Sequence, residues 1–312
     1  MTEIVWNDAS ETEWRDVLSS CGRSAVEQCW GYGEASAANR FVVNRGLIVD
    51  DNERPLGLVQ AFTKRFVGFA TVTQIIRGPL WVGEAPPLEA QRPILAHLRQ
   101  RFTKGRLHFV YWLPELLDEP ESHTAMRGVR LRRVMTGYAS AWVDLNQSTA
   151  NLEAGLSGPW RNQLRRAEKE KLSIGVTSGG QDLEALLTRH DENRKRRRFG
   201  GPNGRFIRAL IDGTTDRQDA LVVTARRARQ PIAGVLMLRH GLSATYYAGW
   251  TTDDGRTAHA HNALLWRAMT ILQKAGVRWL DVGGLDTTNA AGIARFKLGL
   301  GGTVFTLAGS YL

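Results

Sequence analysis

The sequence is poor in cysteine. Cys21 and Cys29 are its two cysteines, too few for a disulfide framework, and neither sits in a CxxC or Cys/His spacing that would hold zinc. Both read as small buried apolar residues. His259 and His261 form an HxH pair with no further ligand close by in sequence, so no metal is expected. Long hydrophobic runs are missing too. No stretch approaches the ~20 apolar residues that cross a bilayer, and the polar, acidic segment from Met1 to Ser10 lacks the apolar heart of a signal peptide. A cytoplasmic protein without a transmembrane segment is expected, with peripheral contact to an anionic membrane surface left open. Neither a Walker-type loop nor a GxGxxG is found at a strand-to-helix junction.

What is present is a chain of 312 residues, 43% hydrophobic and 23% charged. That length is more than one comfortable core needs and suits two domains. The net charge of +10 is unevenly placed: residues 1–150 carry 17 Lys+Arg against 17 Asp+Glu, whereas residues 151–312 carry 24 against 14. All the excess lies in the second half. Such asymmetry favours a polyanionic partner, although an Arg-rich composition spread over the whole chain would also leave a positive balance.

Hydrophobic periodicity gives mixed α/β order throughout. In the first half it predicts a helix over 11–29, strands over 40–49 and 56–62 around a turn at 50–55, an apolar run over 66–76, a helix over 87–104 and a strand over 107–113. Near residue 146 the pattern restarts. A basic helix over 160–171 is followed by a helix over 183–198 that ends in a basic run and is closed by the breaker at 199–204. A hairpin spans 220–228 and 232–239, and a strand covers 243–250. The clearest helix, 258–275, is capped by Gly276, and a strand over 278–282 opens into Gly283-Gly284. Domains are therefore expected at 1–145 and 146–312, with the segment 303–312 free to return as a strand to the first.

Several motifs occur in a fixed order. Gln28-Cys29-Trp30-Gly31 and Arg77-Gly78-Pro79 come first, then Trp160-Arg161-Asn162-Gln163-Leu164-Arg165-Arg166-Ala167. Tyr246-Tyr247-Ala248-Gly249-Trp250 precedes Asn262-Ala263-Leu264-Leu265. Gly276-Val277-Arg278-Trp279-Leu280-Asp281-Val282-Gly283-Gly284 and Arg295-Phe296-Lys297-Leu298-Gly299-Leu300-Gly301-Gly302 close the series. In this order across nearly the whole chain they resemble the FemA/FemB/FemX aminoacyltransferases, in a compact form without the helical-hairpin insertion. The resemblance implies two tandem acetyltransferase-like (GNAT) domains and a cytoplasmic aminoacyltransferase. Its donor would be aminoacyl-tRNA, and its acceptor an amine on a small molecule, a peptide or a cell-wall precursor. The chain departs from the pattern after Trp30-Gly31, where cell-wall members often carry a lysine used on substrate phosphates and this chain reads Tyr32-Gly33-Glu34-Ala35. It also lacks the Arg/Gln-x-x-Gly-x-Gly/Ala loop that grips coenzyme A in ordinary GNAT enzymes.

Aminoacyl transfer needs no cofactor, because the ester is already activated; it needs a group that stabilises a tetrahedral oxyanion. By resemblance Lys297 is that group, and Phe296 accompanies it at the substrate. Asp281 and Asp286, flanking Gly283-Gly284, are candidates to position the amine or take its proton. Tyr246 and Tyr247 alternate on a strand, so at most one lines a given cleft. Arg161 and Arg165 share a helix face suited to substrate phosphates. Arg194, Lys195, Arg196, Arg197, Arg198 and Arg205, among glycines, are candidates for tRNA phosphate contacts. Each has an ordinary alternative: a solvated basic face, a core tyrosine, an aspartate capping a turn. Two further readings use the same fold, an acyl-coenzyme A or acyl-carrier-protein dependent N-acyltransferase and a non-catalytic RNA-binding protein.

Overall fold

The computed structural model describes residues 2–66, 70–105, 107–197 and 200–312; of Arg197 only the main chain is described. Its α/β chain divides into two compact units. The first comprises 1–139, 240–242 and 305–312, and the second 140–239 and 243–304.

The first unit is built on strands β1 (Glu3–Trp6), β2 (Val42–Val49), β3 (Pro55–Arg65), β4 (Thr71–Ile76), β5 (Leu80–Trp81), β6 (His108–Leu113) and β7 (Arg133–Met135). Its helices are α1 (Glu11–Ser20), α2 (Trp30–Ala38), α3 (Leu88–Phe102) and α4 (Pro120–Gly128). The helix expected over 11–29 ends at Ser20, because the chain turns extended at Cys21 and then makes a short 3₁₀ turn over Val26–Gln28. Ile94, Leu95, Leu98 and Phe102 of α3 recur at helical spacing and close the core against Ile48, Val59, Ala61, Ile75, Val110 and Trp112 of the sheet. β4 and β6 run parallel and stay paired from Thr71↔His108 to Ile76↔Leu113. A strand from the C-terminus, β15 (Ser310–Tyr311), lies between β6 and β7.

The second unit contains β8 (Ala139–Asp144), β9 (Ser173–Thr177), β10 (Ala220–Arg227), β11 (Gln230–His240), β12 (Ser243–Thr251), β13 (Trp279–Asp281) and β14 (Thr303–Thr306), in the sheet order β14-β8-β13-β12-β11-β10-β9. Its helices are α5 (Thr149–Gly155), α6 (Gly158–Lys169), α7 (Gly180–Arg197), α8 (Gly204–Asp212), α9 (Asp253–Thr257), α10 (Ala260–Lys274) and α11 (Ala291–Leu298). The β10–β11 hairpin turns on Ala228 and Arg229, both with positive φ, the left-handed pair a two-residue turn requires. Leu152, Trp160, Leu164, Leu264, Leu265, Ala268 and Met269 pack α5, α6 and α10 onto Val223, Val235, Ala244 and Leu280 of the sheet. α7 packs against β9, β10 and β12.

The segment read as a breaker also begins the next element, since the Asn203 side chain accepts from the Phe206 N–H at 2.8 Å and caps α8. Arg198 and Phe199 lie outside the described residues.

Candidate functional site

The parallel pair at the centre of the second unit is short. β12 and β13 pair only from Ser243↔Trp279 to Thr245↔Asp281, yet β12 runs on to Thr251. Beyond Asp281 the other chain leaves the sheet at Gly283, which has φ +74°. A Cβ there would stand 2.7 Å from the Tyr246 carbonyl oxygen and 3.3 Å from Lys297 Nζ, so glycine is required twice over, by the backbone angle and by the close approach. The two strands thus part at their C-terminal ends, the usual place for a ligand in a sheet with a parallel pair.

Four of the expected residues meet at this opening. Asp281 is fully buried; its Oδ1 accepts from the Gly283 N–H at 2.8 Å and from the Ser140 hydroxyl, and Ser140 also donates to the Gly283 carbonyl at 3.1 Å. The carboxylate therefore fixes the turn. Lys297, near the end of α11, donates from Nζ to the Gly284 carbonyl at 2.9 Å and lies 5.5 Å from the Tyr246 ring centroid. Burial holds its pKa down at about 8, and the Asp281 charge works against that fall. Burial likewise pushes the Tyr246 hydroxyl above its ordinary range. That hydroxyl stands over Gly249, where a Cβ would lie 2.2 Å from it. Residues three apart on a regular strand face opposite ways, so the alternation of β12 is broken between them, as at a bulge. Phe296 precedes Lys297 and packs against Trp160 at 6.0 Å and His261 at 6.2 Å between ring centroids.

The other expected residues stand apart from this group. The Asp286 carboxylate is exposed and accepts from the Asn289 N–H at 2.7 Å, the Asn289 Nδ2 at 3.0 Å and the Thr288 N–H at 3.0 Å, all within its own turn. Those bonds, the Asn289 main-chain bond foremost, hold its pKa below the ordinary value, which suits a cap and not a base. Tyr247 is half-buried, one residue on from Tyr246. Arg161 donates to the carbonyls of Ala154 and Leu156 at 3.2 and 2.9 Å and so caps α5, while Arg165 is exposed and pairs with Glu153 at 3.8 Å. The helix face read as phosphate-binding thus spends Arg161 on its own backbone.

In the basic segment Arg194 pairs with Asp191 at 3.6 Å and Arg196 donates to Asn193 at 2.7 Å; Lys195, Arg196 and Arg205 are exposed. Ser140, Trp160 and His261 were not singled out as site residues from the sequence. Ser140 carries no local signal, since only the pairing of β8 with β13 brings it to Asp281. Among the described residues no three His, Cys, Asp or Glu side chains converge as a metal site, and no helix is long and apolar enough to cross a membrane.

Residues 160–298, which hold this opening, match the family described as Acetyltransferase (GNAT) domain. The chain carries a GNAT fold. Among solved structures it is similar to FemX, at 12% identity and a TM-score of 0.82 over 98% of this chain and 96% of that one. It is also similar to a tandem GNAT protein from the clavulanic acid biosynthesis pathway (11% identity, TM-score 0.56, 100% and 98% covered). A third is the C-terminal domain of a putative lysylphosphatidylglycerol synthetase from Agrobacterium fabrum (12% identity, TM-score 0.54, 97% and 91% covered). At these identities the likeness is one of fold: a FemX-like pair of GNAT units. No curated protein matches the sequence. The matched segment spans Tyr246, Asp281, Phe296 and Lys297.

Proposed function

We propose that this chain transfers an aminoacyl group from aminoacyl-tRNA to an amine, at the opening between β12 and β13. The observation that carries the proposal is the Lys297 ammonium, partly withdrawn from water at the parting of two parallel strands and backed by the Asp281 charge. In the reaction the acceptor's neutral nitrogen attacks the ester carbonyl carbon, and the C=O pair moves onto oxygen. The Lys297 ammonium, donating to that oxyanion in place of Gly284, stabilises the transition state by roughly 3–4 kcal/mol. Collapse reforms C=O, expels the tRNA terminal hydroxyl oxygen and passes the nitrogen's proton to it. The bond made is an amide, the bond broken an ester, and nothing is oxidised or reduced.

One feature favours tRNA over a coenzyme A thioester. The exposed Lys195, Arg196 and Arg205 offer a footprint for phosphates on a chain whose charge excess is confined to residues 151–312. The name of the putative lysylphosphatidylglycerol synthetase agrees with aminoacyl chemistry on this fold. In the first unit, Glu34 after Trp30-Gly31 is paired with Arg45 at 2.7 Å; a carboxylate there disfavours a phosphorylated cell-wall precursor and favours an amine on a small molecule or peptide. A tRNA donor would place the reaction in the cytoplasm.

The test is transfer of labelled amino acids from a charged tRNA pool to the low-molecular-weight fraction of an extract. Ribonuclease added before mixing should abolish the product. Unchanged turnover after ribonuclease, together with dependence on an acyl thioester, would contradict the proposal.

A further inference from the structure

Three connections of the first unit meet at one end of its sheet. β2 begins where β3 ends, since Val42 pairs with Thr63, and β3 ends where β4 begins, since Arg65 pairs with Thr71. β6 starts beside β4, with Thr71 opposite His108 and the Thr71 N–H donating to the Leu107 carbonyl at 2.9 Å. The chain arrives here from the ends of α2 and α3. Lys64 Nζ donates to the Asn39 carbonyl at 3.2 Å and stands 4.7 Å from the Phe41 ring centroid.

At this end Val42, Phe66, Leu107 and Phe109 are each 43–65% exposed, and Arg40, Arg65 and Lys104 are exposed among them. Residues 35–49, 54–83 and 90–114, which form these strands and connections, contain no Asp or Glu. All 17 acidic residues of 1–150 fall outside these segments, and 11 of its 17 Lys+Arg fall inside. A half whose charge balances overall is thus cationic here. Large apolar side chains gathered in the open mark a surface that something covers.

The charge decides what that is. A second copy of the chain would set like charges face to face. Nucleic acid would meet the cations, but Val42 and Leu107 have no flat face for a base to stack on. An anionic lipid bilayer satisfies both kinds of side chain: its phosphates meet the cations, and the apolar groups pass beneath them to the acyl boundary. We propose that this end of the first unit docks the chain on an anionic membrane, with Val42, Phe66, Leu107 and Phe109 inserted and Arg40, Arg65 and Lys104 at the headgroups. The docking stands apart from the transfer chemistry of the second unit.

The test is flotation of the full chain with phosphatidylcholine vesicles, with and without an equal share of phosphatidylglycerol. The wild-type chain should float with the mixed vesicles and not with phosphatidylcholine alone, and added salt should weaken the binding. Because a chain of net charge +10 meets any anionic surface, three variants locate the contact. Phe66→Ser with Leu107→Ser should weaken binding by roughly tenfold or more. Arg40→Gln, Arg65→Gln and Lys104→Gln together should lower it by about fivefold for each cation removed. Replacing Lys195, Arg196 and Arg205 of the second unit with Ala should change it by less than about twofold, because charges away from the contact are screened. Every changed side chain is exposed, so the thermal midpoints should match wild type. A wild-type chain that does not float, or binding that survives the Phe66 and Leu107 changes, would overturn the proposal. Vesicle binding lost in the Lys195, Arg196 and Arg205 variant alone would overturn it too, by placing the contact elsewhere. A wild-type chain that ignores vesicles, beside a Phe66 and Leu107 variant that loses tRNA, would make the surface a nucleic-acid contact instead. Transfer measured without vesicles should be the same in wild type and in the variants of this end, so failure of the docking leaves the reaction untouched.

Discussion

At the scale of single residues, Lys297 and Asp286 show how the same kind of sequence position acquires opposite character. Lys297 is partly buried, and the loss of water favours its neutral form. Asp286 is exposed and ringed by donors from its own turn, which favours its charged form. The consequence for activity has a definite sign. With a pKa of about 8, Lys297 is chiefly ammonium at neutral pH and loses its proton as pH rises through 8. If the ammonium holds the oxyanion, kcat/KM should show a descending limb centred near pH 8, beyond the rising limb set by deprotonation of the acceptor amine. Lys297→Arg, whose guanidinium stays charged, should remove the descending limb even though its geometry lowers the rate. A profile that keeps rising through pH 9.5 in the wild-type chain would remove Lys297 from the oxyanion.

Elements, one level up, divide into those whose signal is local and those whose signal is not. α10 is legible because its apolar spacing ends at Gly276, and the β10–β11 hairpin because two apolar runs meet at a turn. α2 (Trp30–Ala38) was hidden by two glycines and a weak amphipathic pattern, and β9 by its exposed Ile174 and Val176 at the sheet's edge. α8 stands behind a segment whose glycines and proline read as a breaker, although Asn203 is its cap. The basic end of α7 and the start of α8 form a surface whose role in binding can be measured. Replacing Lys195, Arg196 and Arg205 together with Ala should weaken tRNA binding and flatten its log–log salt dependence, by roughly 0.7–0.9 for each phosphate no longer neutralised. Should the triple variant keep the wild-type slope, these side chains are merely solvated.

Over the whole molecule, the organisation depends on pairings between residues far apart in sequence, which local patterns do not carry. Ser140 reaches Asp281 across 141 positions, and the C-terminal segment enters the first unit's sheet at β15. Tyr311 is 1% exposed there; its hydroxyl lies 2.7 Å from His123 Nδ1 and 3.3 Å from the Ala308 carbonyl, and His123 Nε2 is 2.8 Å from Asp118. Tyr311→Phe leaves a buried acceptor and an imidazole nitrogen short of a partner, and should cost the first unit about 1–2 kcal/mol in urea unfolding. An unchanged midpoint would mean the strand is held by its backbone and packing alone. The candidate site was legible where the motif series names chemistry, at Lys297, Phe296, Asp281 and Tyr246. It was not legible at Ser140, which reaches Asp281 only through the pairing of β8 with β13. The central question is whether the second unit's opening performs the transfer. The direct measurement is single-turnover release of a labelled amino acid from charged tRNA to an amine by folded wild-type and Lys297→Met chains. A fall in kcat of roughly 10²–10³, with kcat/KM falling in parallel, is the predicted result; a folded Lys297→Met chain within about threefold of wild type (~0.65 kcal/mol) would contradict it.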